Sequence, residues 1–234
     1  MSEHTVKAFD AELNGLVRKI EDMGRLADEQ IANSIGALTS HDAALARRII
    51  AADADIDRLQ LEIEEMAVLT IARRQPMARD LRELVGALRV ANALERIGDY
   101  AKNIAKRVIA SGADAGPAAD VRELQQMADL VTTALRNVID AYVRRDTAKA
   151  MEVWRNDETI DAANNALFRR ILADMMAAPR SIPVCTHLMF CAKNMERIGD
   201  HATNIAETVY YIAHGNLPEA ERPKHDTTRL ADSN

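Results

Sequence analysis

The chain has 234 residues, 48% hydrophobic, 28% charged and 3% aromatic, with a formal net charge of −6 from 30 basic and 36 acidic residues. That length and balance suffice for one sizeable core or two small ones. The abundance of Ala, Leu, Ile, Met, Arg and Glu favours helix over sheet, and the negative balance argues against nucleic acid as a partner, because phosphate binding needs clustered Lys and Arg.

Along the chain, the opening MSEHTVKAFDAELNGL has no basic segment followed by an apolar run, so no signal peptide is expected there. No stretch reaches the ~20 apolar residues that span a bilayer. Helix 1 is predicted over about residues 5–39, with Phe9, Leu13, Leu16, Ile20, Met23, Ala27 and Ile31 on its apolar face. Helix 2 is predicted from an N-cap at Asp42, with a heptad-like seam of Leu45, Ile49, Ala52, Ile56, Leu59, Ile63 and Met66. Helix 3 is predicted to start at Pro76, where a missing N–H costs nothing, with Ala87, Val90, Leu94, Ile97, Ala101, Ile104 and Val108 as its seam.

Residues 112–116 read as a linker between a first unit, 1–111, and a second, 117–215. Helix 4 is predicted from Pro117, helix 5 from about Asp146 and helix 6 from Pro183, ending at Gly215-Asn216-Leu217-Pro218. The polar tail over 216–234 is expected to be disordered. Cys185 and Cys191 lack CxxC spacing and are expected to be reduced thiols on helix 6 of a cytoplasmic protein.

The strongest pattern is a repeat. Residues 91–108 read ANALERIGDYAKNIAKRV and residues 192–209 read AKNMERIGDHATNIAETV, identical at 11 of 18 positions including the whole of ERIGD. Upstream, Asp53-Ala54-Asp55-Ile56-Asp57 aligns with Asp157-Glu158-Thr159-Ile160-Asp161. Composition alone does not copy an ordered pentapeptide, so the fold class expected is all-α, two tandem three-helix bundles related by pseudo-symmetry.

Within each repeat, carboxylates recur one helical turn apart. Glu95, Asp99 and Asn103 form a row on helix 3, and Glu196, Asp200 and Asn204, extended by Glu207, form one on helix 6. Asp53 and Asp57 lie beside the helix 2 seam, and Asp157 and Asp161 occupy the matching places on helix 5. Carboxylates at i and i+4 repel, and a bound cation removes that penalty. Oxygen-only ligands suit Mg, Mn or Fe, with Zn also accommodated. The competing reading of these acids is a solvated face neutralised by Arg96 and Arg197.

Gly98 and Gly199 recur in mid-helix, where Gly costs about 1 kcal/mol relative to Ala, so a close approach by another helix or by the metal is expected at both. His201 sits beside Asp200 and is expected to point away from the acid row, while Trp154 and Phe168 are read as packing residues of helix 5. The chain contains no HExxH, Walker loop or G-x-S-x-G, and no E-x-x-H pair of ferritin-like di-iron bundles.

The paired segments ERIGDYAKNIA and ERIGDHATNIAE, together with RRQPMARDLRELVGALRVANALERIGD, resemble the signature helices of the PhoU family, the bacterial phosphate-specific transport system accessory proteins. The resemblance runs from helix 1 to about residue 214. It implies metal clusters on the E/D-x-x-x-D motifs, carried here by Asp53, Asp57, Glu95, Asp99, Asp157, Asp161, Glu196 and Asp200. It also implies a non-enzymatic negative regulator of phosphate uptake and of the phosphate-starvation regulon. The implied partners are the ATPase subunit of the phosphate ABC transporter and a sensor histidine kinase, with the membrane met only through them. A homodimer is expected as well.

One departure is visible: Lys106 stands where the second repeat has Glu207, so the first metal site is expected to be the weaker. The alternatives are a metal-dependent phosphohydrolase, for which no general base is evident, and a purely structural helical scaffold.

Overall fold

The computed structural model describes residues 2–112 and 118–219, and it is all helix among them. Six long helices follow in order: α1 Ser2–Ser40, α2 Ala43–Arg74, α3 Ala78–Ser111, α4 Ala118–Arg144, α5 Thr147–Ala177 and α6 Ile182–His214, with a 3-10 turn at Pro179–Ser181 before α6. Most of the expected linker, the expected helix start at Pro117 and the tail from residue 220 lie outside the described residues. Among those described, no helix is long and apolar enough to cross a membrane.

Local chemistry sets the helix ends. Asp42 caps α2, its carboxylate accepting from the backbone N–H of Ala44 at 2.9 Å and of Leu45 at 2.8 Å. Asp146 does the same for α5 through Lys149 N–H at 3.0 Å. Gly215, at φ +82°, closes α6 with its N–H on the Tyr211 carbonyl. The α2–α3 corner departs from expectation: α3 begins at Ala78, not at Pro76. Gln75 takes the left-handed conformation at φ 47° and ends α2 on the Ile71 carbonyl, so Pro76 lies in the three-residue connection 75–77.

α1, α2 and α3 pack on one another, as do α4, α5 and α6, giving two three-helix bundles of the same order. They join through α3 against α6 and α1 against α4, while α2 and α5 lie on opposite outer sides. The core is continuous across that junction, with Ile20, Leu94, Ile97, Met127, Leu135 and Ile198 among its buried side chains. Polar ties mark the same seam. Arg136 forks onto Asp28 at 2.8–3.0 Å, Arg145 meets Glu83 at 2.6 Å, and Arg82 donates to the Ile212 carbonyl at 3.1 Å.

The α2 seam drifts from its expected course. Ala52 is exposed, and the buried stripe runs Ala46, Ile49, Asp53, Ile56, Leu59 and Ile63. A straight helix turns past a strict heptad, so the seam moves over by one residue in the middle of α2. Asp53, only 4% exposed, therefore lies in the seam and not beside it, and Asp157 holds the same position on α5 at 3%.

Candidate metal centre

Each half brings its acid row on the third helix against its acid pair on the second. The two halves register alike. Gly98 faces Ile56 and Asp53 of α2, and Gly199 faces Ile160 and Asp157 of α5. The expected close approach at both glycines is therefore made by a neighbouring isoleucine and aspartate.

In the first half the acids are gathered around a lysine. The Lys102 ammonium donates to Asp53 Oδ2 and lies 2.5 Å from Asp99 Oδ1, with 20% of the lysine side chain exposed. Burial works against its charge, but the bonds to Asp53 and Asp99 outweigh that and raise its pKa above the ordinary lysine value. From the solvent side, Arg96 pairs with Glu95 at 3.4 Å and Asp99 at 3.7 Å. Even so, burial and the neighbouring Asp99 push the Glu95 carboxyl above the usual carboxylate range. Burial and Asp53 do the same to Asp57, which lies on the exposed side of α2.

The second half has the same frame with different polar partners. Thr203 replaces Lys102, its hydroxyl 3.1 Å from Asp157 Oδ1 and 3.0 Å from the Gly199 carbonyl. Asp157, Asp161 and Glu196 are all buried. Glu196 Oε1 accepts from Lys193, a half-buried residue at the cleft rim, at 2.9 Å, while Glu196 Oε2 is buried without a hydrogen-bond partner. Burial raises the Glu196 pKa in spite of Lys193, and Asp200 and Asp161 add to the rise. Arg197, the counterpart of Arg96, turns toward Tyr100 of α3, with Nη1 3.5 Å from the phenol oxygen.

Glu196, Asp200 and Asn204 line an open cleft of about 390 Å³ together with His201, Lys193, Arg197 and Tyr100. His201 thus shares the cleft with the acid row, where it was expected to point away, and it packs on Tyr100 with ring centroids 5.6 Å apart. Glu207 lies outside that lining, its Oε1 accepting the indole N–H of buried Trp154 at 3.0 Å. Lys106 is exposed and reaches only Asn103, at 3.4 Å. The lysine that meets the first acid row is Lys102, one turn earlier. Its signal was present in the repeat alignment, which sets Lys102 opposite Thr203, three residues after Asp99 and Asp200.

Among the described residues, no three His, Cys, Asp or Glu side chains converge closely enough to hold an ion as they stand. The donor sets nonetheless differ in fit. The second half offers buried carboxylates, an unpaired carboxylate oxygen and an open approach, which suit a hard cation. The first half has an ammonium where the cation would go.

Comparison with known proteins places this architecture. The PhoU domain matches twice, at residues 20–108 and 124–209, the two three-helix units described above. The chain is 51% identical over 225 residues to a phosphate-specific transport system accessory protein PhoU homolog of Rhizobium meliloti, covering 96% of this chain and 95% of that one. It is 46% identical to the Caulobacter vibrioides homolog over 97% of this chain and 98% of that one. The crystal structure of PhoU from Pseudomonas aeruginosa superposes with a TM-score of 0.85 at 33% identity, over 89% of this chain and all of that one. Duplicated ERIGD helices, the paired bundles and full-length likeness agree: the chain belongs to the PhoU family.

Proposed function

We propose that this chain is a negative regulator of phosphate uptake, working as an adaptor between the phosphate ABC transporter and a sensor histidine kinase in the cytoplasm. The observation that carries this reading is the 51% identity, over nearly the full length of both chains, to a protein named for the phosphate-specific transport system. The family is one of regulatory accessory proteins and not of enzymes. In this reading the ATPase subunit of the transporter and the kinase's cytoplasmic region dock on the helical faces, and a homodimer is the working state.

Divalent or trivalent metal, Fe, Mn, Mg or Zn, would be held by the acid rows, foremost by Asp157, Asp161, Glu196, Asp200 and Asn204. A bound cation would supply positive charge to buried carboxylates and tie α5 to α6. What supports this is the buried, partnerless Glu196 Oε2 beside an open polar cleft.

The test is a chromosomal deletion carrying a phosphate-starvation reporter and grown in abundant phosphate. Derepression, reversed by the wild-type copy, is expected; unchanged reporter output would refute the regulatory reading.

A further inference from the structure

We infer that Lys102 is a built-in cation that takes the metal position of the first half, so that this chain loads metal on the second acid row alone. The inference rests on the reading that acid rows of this kind hold cations.

The two rows share one frame down to the glycine contacts, and they differ where a cation would sit. Lys102 binds Asp53 and Asp99 at once, one carboxylate from each of the two helices that a metal would join. An ammonium with two carboxylates in a mostly buried place satisfies the charge that would otherwise call for an ion. A metal entering there must expel the lysine head while its stem stays anchored between the helices. In the second half the equivalent residue is Thr203, neutral and already turned onto the Gly199 carbonyl and Asp157. Of the second-half cations, Lys193 comes from the rim onto Glu196 Oε1 at 2.9 Å, within its own helix, and Arg197 turns to Tyr100. The buried Glu196 Oε2 has no hydrogen-bond partner, which points the same way.

The experiment counts Mn²⁺ bound to full-length protein after chelator treatment, by native mass spectrometry and elemental analysis. It compares wild type, K102T, T203K, D99N and E196Q, with K102Q replacing K102T should that variant not fold. Wild-type loading is expected to fall several-fold in E196Q and T203K and to stay unchanged in D99N. K102T is expected to bind about twice as much Mn²⁺ as wild type. Equal loss in D99N and E196Q would overturn the inference, as would K102T binding no more than wild type. Should wild type bind nothing while K102T binds, Lys102 is the occluding group but the second-half metal reading fails. Should neither bind, both fail.

Discussion

A methyl group on Gly98 would stand 2.8 Å from Ile56 Cδ1 and 3.4 Å from Asp53 Oδ1, and one on Gly199 would stand 3.0 Å from Ile160 Cδ1. Each glycine is thus the point at which the signature helix presses on the acid-bearing helix beside it. Gly98→Ala gains helix propensity of about 1 kcal/mol but forces a buried isoleucine aside at about 1–3 kcal/mol. Because Ile56 is fully buried, net destabilisation of about 1 kcal/mol is expected for G98A and less for G199A. Urea denaturation midpoints measure the order, and a G98A protein more stable than wild type would show that the contact relaxes freely.

Asp120 gives a pH dependence that can be isolated. It is fully buried at the start of α4, and burial together with nearby Asp174 pushes its carboxyl up to about 6, against the pull of Arg170 at 3.2 Å. A folded-state value above the unfolded one means the native protein holds that proton more tightly. Its stabilising contribution is present in full below about pH 4 and fades as the pH rises through about 6. Asp120→Asn should therefore stabilise the protein at pH 8, by about 1 kcal/mol, and do little at pH 4. Denaturation curves at the two pH values test this; an equal effect at both would mean that Asp120 does not titrate in this window.

Glu196 should show function opposed to stability. Its buried charge is penalised, so metal-free Glu196→Gln should melt a few degrees above wild type at pH 7.5, corresponding to about 1 kcal/mol. With Mn²⁺ added, wild type should gain stability and E196Q should gain little. Scanning calorimetry with chelator and with metal reads both halves of the prediction. A variant less stable than wild type in chelator would place the value of Glu196 in packing.

The two thiols should be silent until the fold opens. Cys185 and Cys191 are free and buried in α6, and burial pushes the Cys191 thiol up to about 12 despite the charge of Arg107. Thiolate is the reactive form, so a disulfide reagent should label neither cysteine natively and both in denaturant. Native labelling of either would expose an opening motion of α6.

Much of this architecture was legible from residue order. Capping at Asp42 and Asp146, the stop at Gly215 and the seam of α3 follow from local rules that act within a turn or two of helix. The corner at Gln75 was not legible: whether a chain stops at a residue before proline or at the proline itself depends on a left-handed conformation that no side chain announces. The α2 seam misled by one residue because a heptad count accumulates error against 3.6 residues per turn.

The sequence by itself determined the helices, their duplication and the families of acids that face one another, because periodicity and repetition are properties of order along the chain. Only the tertiary structure decided which basic residue meets which acid row. Lys102 and Lys106 differ by a single turn on the same helix, yet one reaches across to Asp53 and the other ends on Asn103 at the surface. That choice is made by the neighbouring helix, whose angle and distance set what a flexible side chain can touch.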